Sequence, residues 1–163
     1  MTVQAKFRTA IISPALRWMG AHSPAAERLL YGTAMHESAG LLYARQIEGP
    51  ARGAYQMEPA TLADLWANWL FYRPAQAQWL RAAGPAVVLG AEGKGIDPAA
   101  AINLFSPLYA TVAARLHYMR DPEPLPDAED LESLARYYKR VWNTHLGKAS
   151  EQDFVDAVQR YED

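Results

Sequence analysis

Leu29-Leu30-Tyr31-Gly32-Thr33-Ala34-Met35-His36-Glu37-Ser38 is an apolar run that closes on a carboxylate. Ser23-Pro24 lies just before it and Gly40 just after. A serine ahead of a proline is a helix start, because the hydroxyl caps the first turn and the missing proline N–H is no loss there. Glycine is a usual helix stop. The stretch therefore reads as a helix over 24–39, buried along most of its length, with Glu37 projecting from its end. Apolar surroundings and the negative end of the helix dipole both disfavour the charged carboxylate. A carboxyl group that keeps its proton near neutral pH is what a general acid requires.

Outward from this helix, other starts are equally legible. Ser13-Pro14, Asp97-Pro98 and Ser106-Pro107 repeat the capped-proline pattern, while Thr61 to Asp64 and Ser150 to Asp153 read as capping boxes. The helices expected are 3–12, 14–21, 24–39, 60–72, 75–83, 98–119, 128–146 and 151–161. Ile102, Phe105, Leu108, Val112, Leu116 and Met119 recur at helical spacing, as do Leu131, Leu134, Tyr138 and Val141. Pro107 should kink or divide the first of these series. Residues 39–57 lack helical period and read as a loop or small irregular hairpin. Gly90 to Gly95 is irregular by composition, and Asp121 to Pro126 is an extended connector. The fold class is mostly α with minimal sheet: one domain over 1–163, of about eight helices.

Composition narrows the function. With 163 residues, half of them hydrophobic, the chain can bury a core of its own. Sixteen Lys plus Arg against eighteen Asp plus Glu, with no basic block, speak against nucleic acid as a partner. Cysteine is absent, which removes disulfides and thiolate chemistry. No stretch approaches the ~20 apolar residues of a membrane span. Residues 9–16 are short for a signal sequence, contain Pro14 and are closed by Arg17, which reads against a cleaved export signal.

Sixteen residues after Glu37 begins Gly53-Ala54-Tyr55-Gln56-Met57-Glu58-Pro59-Ala60-Thr61, which puts Gln56 nineteen residues after Glu37. A loop entering a capped helix would account for Thr61 but not for a glutamine three residues after a glycine. The pairing of Glu-Ser with Gly-x-x-Gln-x-x-Pro-x-Thr resembles the lytic transglycosylase family, relatives of goose-type lysozyme that cleave peptidoglycan glycan strands. The resemblance implies a lysozyme-like fold, Glu37 as the single acid and base, and Ser38, Tyr55, Gln56 and Met57 beside the sugar groove. It spans about Leu29 to Gly147. Its closing motif, in which a tyrosine approaches the catalytic glutamate, fits in two registers: one brings Tyr137 to the groove, the other Asn143 within Trp142 to Gly147. Tyr138 falls on the apolar stripe of its helix and reads as core. Glu58 replaces an apolar residue of the family pattern.

The implied reaction cleaves the MurNAc-GlcNAc β-1,4 bond without metal or cofactor and leaves a 1,6-anhydro product. A hydrolytic lysozyme would need a second carboxylate, about 5–5.5 Å away for retention or ~6.5–9.5 Å for inversion. Glu58 and Asp64 are the nearby candidates. A third alternative is a non-catalytic, glycan-gripping module of a phage particle. The compact form and the missing export signal fit a phage-encoded enzyme, carried with other virion proteins or made in the host cytoplasm and acting on the wall. His36-Glu37-Ser38-Ala39-Gly40 begins like a zinc-protease motif but has Gly40 in place of the second histidine. The four histidines show no ligand spacing, and Gly93-Lys94-Gly95 is no phosphate loop.

Overall fold

The computed structural model describes residues 1–84, 98–143 and 147–162. Gly90 to Gly95, Asp97 and the Thr144 to Leu146 part of the last motif lie outside them. Eight α-helices are found among the described residues: α1 Val3–Phe7, α2 Ser13–Trp18, α3 Pro24–Glu37, α4 Pro59–Asn68, α5 Pro74–Ala83, α6 Pro107–Tyr118, α7 Leu131–Tyr138 and α8 Glu151–Tyr161. The chain is mostly helical, and the only strand-like pairings among the described residues are isolated bridges at Arg45–Arg52 and Arg52–Met57.

Ser23 caps α3 as expected, accepting from the Ala26 N–H at 3.0 Å. Ser150 and Asp153 form the expected capping box of α8. Two other expected starts are corrected. Ser13 makes no cap; a π turn over Arg8–Ile12 joins α1 to α2 in unbroken helical backbone. The wider turn accommodates Pro14, whose ring would clash with the preceding turn of a regular helix. Thr61 starts nothing either, since α4 begins at Pro59 after Glu58 in extended conformation, and Asp64 bonds Asn68 and Arg120.

Pro107 divides the 98–119 series. Pro98–Phe105 is a 3-10 helix, and Ser106 caps α6. With three residues per turn, the stripe expected from α-helical spacing turns away from the core. Ile102 and Phe105 are exposed, and Ala101 and Leu104 point inward in their place. The 128–146 helix is shorter than expected. It starts after the Asp130 cap, runs through α7, and passes into a second π turn at Lys139–Asn143.

Two cores share α6. Ala110, Ala114 and Tyr118 face α3, α7 and α8, packing with Leu30, Tyr31, Met35, Leu134, Tyr138 and Phe154. Tyr109, Val112, Ala113 and Leu116 face α4 and α5, packing with Met57, Leu62, Leu65, Trp66 and Leu80. A helix apolar on all sides belongs in the interior. Trp142 packs against both clusters and so marks the seam between them.

Candidate active site

α3 ends where its sequence indicates, and the termination aims Glu37. Ser38 caps the helix; the Gly40 N–H reaches Met35 O at 2.8 Å and the Ala39 N–H reaches His36 O at 3.4 Å. That crossed pair is a Schellman arrangement. Ala39 occupies the left-handed position with φ 51°, followed by Gly40 and Leu41, both at 71°. Side chains rarely adopt this conformation, so the turn stores strain at the site. Buried Ser38 stabilises it, donating to Ala34 O at 2.6 Å and accepting from the Leu41 N–H at 2.9 Å. Its role is to brace the turn, since the hydroxyl has no face on the cleft.

Beyond the turn, residues 44–57 fold into a small irregular hairpin, as the sequence suggests. Arg52 and Met57 exchange backbone hydrogen bonds at 3.0 and 3.1 Å, and the Gln56 N–H closes the tip onto Gly53 O at 3.0 Å. Gly53 has φ +75°, and a Cβ there would stand 1.9 Å from the Leu104 carbonyl oxygen. Only glycine fits. Gln56 is also left-handed, at φ 46°. Its side-chain amide donates to Gly53 O at 2.8 Å and to Tyr43 O at 3.4 Å. The glutamine therefore braces the hairpin tip as well as facing outward.

Glu37 and this tip stand on one cleft of about 170 Å³, completed by Met57, Glu58 and Thr61 on one side and His117, Trp142 and Asn143 on the other. Burial pushes the Glu37 carboxyl from 4.5 up to about 7, against a hydrogen bond from Tyr138 that pulls it down. The Tyr138 hydroxyl donates to Glu37 Oε1 at 2.6 Å, while its ring stacks on Phe154 at 4.8 Å. His117 is pushed down to about 4, chiefly by burial, and is neutral at neutral pH. Its ring meets Trp142 edge-on at 5.1 Å. A larger depression of about 500 Å³, lined by residues such as Ile11, Pro14, Trp18 and Leu108, is mostly apolar, with no titratable group among the described residues that line it.

Measured against expectation, Glu37, Gln56, Met57 and Asn143 come together at the cleft. Tyr55 does not. It is fully buried, with its hydroxyl 3.1 Å from Thr111 Oγ1, and supports the hairpin from beneath. Tyr137 is corrected too: it packs on Tyr118 at 5.9 Å, lies under Arg140, and donates to Glu123 O at 3.4 Å. Tyr138 is the tyrosine that reaches Glu37, and it is core as well. The π turn explains how Asn143 joins it. With i to i+5 bonding, the residue five beyond Tyr138 comes back over the same face. Of the two extra carboxylates, Glu58 lines the cleft and Asp64 does not, being paired with Arg120 at 2.6 Å. Sequence reasoning missed His117, Thr61 and Trp142 as lining residues; apolar periodicity gave no reason to separate them from core. Comparison of the chain with protein-family models, with curated proteins and with solved structures found no match.

Proposed function

We propose that the chain is a peptidoglycan lytic transglycosylase, with Glu37 as its acid and base. The observation that carries the reading is a carboxyl with its pKa lifted to about 7, set on the same cleft as Gln56. These are the two residues on which the family resemblance rests most heavily. A Glu37 carboxyl of that pKa is about half protonated at neutral pH, near the optimum for giving a proton and taking one back. It first protonates the glycosidic oxygen between N-acetylmuramic acid and N-acetylglucosamine. As the bond from C1 of the N-acetylmuramic acid to that oxygen breaks, the N-acetylglucosamine leaves with the proton. The Glu37 carboxylate then takes the proton of the muramic acid C6 hydroxyl, whose oxygen closes on C1 to give the 1,6-anhydro end. Tyr138 supports the carboxylate formed between the two steps. Gln56 spends its N–H donors on the hairpin, which leaves its carbonyl oxygen to meet an amide or hydroxyl of the glycan.

Glu58 on the cleft wall favours one second reading, hydrolysis by a lysozyme-type pair. The product separates the two. Purified peptidoglycan digested by the protein and analysed by mass spectrometry should yield anhydro ends, and none from Glu37→Gln. Reducing ends, heavier by one water, with loss of activity in Glu58→Gln, would establish hydrolysis. Wall material left intact by the wild-type protein would leave a binding module of a virion, the last of the alternatives. Among the described residues no helix is long and apolar enough to cross a membrane.

A further inference from the structure

Lys139 opens the second π turn, and its ammonium is taken up by three oxygens: Asn143 Oδ1 at 2.7 Å, Gly147 O at 2.8 Å and Ala149 O at 2.7 Å. An ammonium has three donors and no acceptor. The atom that Asn143 turns to it must therefore be the amide oxygen, because the NH2 group would set donor against donor. The chain returns so close at Gly147 that a Cβ there would stand 2.2 Å from Asn143 Oδ1, which packs the amide in place. The N–H pair of Asn143 is left for the opposite side, toward the cleft it lines and the Tyr138 hydroxyl. A tyrosine hydroxyl has one hydrogen. Tyr138 gives that hydrogen to Glu37 Oε1 at 2.6 Å, which leaves only its lone pairs for an N–H of Asn143.

We propose that Lys139 is a positioning residue for Glu37: by holding Asn143 through its oxygen, it sets the direction of the hydrogen bonds from Asn143 through Tyr138, so that Glu37 carries its transferable proton on Oε2. The inference rests on Glu37 being the general acid. Without Lys139 the Asn143 amide is free to turn over and accept the Tyr138 hydrogen. Glu37 then loses its donor, and its own proton can sit on the oxygen that faces Tyr138, out of reach of a substrate. The other titratable groups around Glu37 and Tyr138 include His36 from α3, whose ring meets Tyr138 edge-on at 5.5 Å, Tyr118 and His117 from α6, and Glu58 just ahead of α4. Tyr118 is engaged with Thr33 at 2.7 Å.

The test follows the Glu37 carboxyl by NMR in protein carrying 13C-labelled glutamate, alongside peptidoglycan turnover, in the wild type, Lys139→Met, Tyr138→Phe and the double variant. Lys139→Met should raise the pKa of Glu37 by about 0.5–1 pH unit, the size of one lost hydrogen bond to the charged form. Tyr138→Phe should raise it equally, and the double variant no further; kcat should fall about tenfold in Lys139→Met with KM unchanged. A lowered melting temperature with an unmoved Glu37 titration would reduce Lys139 to a pin for residues 147–149 and overturn the proposal. Full additivity of the two shifts would overturn it as well. If Lys139→Met does not fold, the wild-type Asn143 side-chain amide decides: slow solvent exchange supports the fixed amide, rapid exchange refutes it. A wild-type protein that leaves peptidoglycan uncut would remove the enzymatic reading alone, since the titrations do not depend on turnover.

Discussion

Replacing Glu37 with glutamine should stabilise the protein, by an amount that grows with pH. The carboxyl titrates at 4.5 when exposed and at about 7 in the fold. Between those values the folded chain keeps a proton that the unfolded chain has released. The stability tied to that proton is full below 4.5 and disappears as pH rises through 7. At about 1.4 kcal/mol per pH unit, the whole span amounts to about 3 kcal/mol. Glutamine carries no charge, and its carbonyl oxygen can still accept from Tyr138, so the variant escapes this loss. The stability difference between Glu37→Gln and wild type should therefore widen by about 2–3 kcal/mol between about pH 5 and about pH 8.5. In melting temperature this is roughly 5–10 °C for a chain of this size. Urea unfolding of both proteins at both pH values measures it, and every other titrating group cancels in the comparison. A difference that stays constant within about 0.5 kcal/mol would mean an ordinary, solvated carboxylate, and the argument for a neutral-pH acid would fail.

Three further outcomes are expected. Tyr138→Phe keeps the stack on Phe154 and loses only the hydroxyl, so it should lower turnover about tenfold for about 1 kcal/mol of stability, whereas Tyr137→Phe should leave wall digestion at the wild-type rate; equal effects of the two would refute the assignment of Tyr138. Gly53→Ala sets a Cβ against the Leu104 carbonyl at a left-handed residue, and should destabilise by more than about 2 kcal/mol in chemical unfolding. Gln56→Ala removes two hydrogen bonds from the hairpin tip and should cost about 1–2 kcal/mol of stability as well as activity; activity lost with stability untouched would show a purely substrate-facing glutamine.

Where a residue's neighbours in sequence are also its neighbours in space, the chain was readable. The α3 helix, its Ser23 cap, the Ser150 to Asp153 box and the break at Pro107 all follow from side chains acting within one turn. So does the position of Glu37 at a helix end. What escaped was geometry that depends on non-standard turns. The π turn at 8–12 absorbs Pro14, and the 3-10 run before Pro107 rotates Ile102 and Phe105 to the surface. Tyr137 and Tyr138 sit 100° apart on an ideal helix, yet which one meets Glu37 depends on how α7 lies against α3. Apolar spacing placed Tyr138 in the core, correctly, but could not show that its hydroxyl end reaches a carboxylate.

α8 covers one face of the helix that presents Glu37, and this has a consequence for how the chain folds. The Tyr31 hydroxyl meets the Tyr161 carbonyl across 130 residues of sequence, and Arg28 meets Glu162 at 2.7 Å across 134. Helical proteins owe their fast folding to contacts between near neighbours in sequence, and this pair has none of that advantage. The entropy of closing so long a loop must be met before the α3–α8 contacts can return anything. On the ribosome, α3 emerges early and waits uncovered until residues 151–162 have been made. The surroundings of the Glu37 carboxyl are thus completed only once α8 has been made, although its own helix is synthesised well before α8.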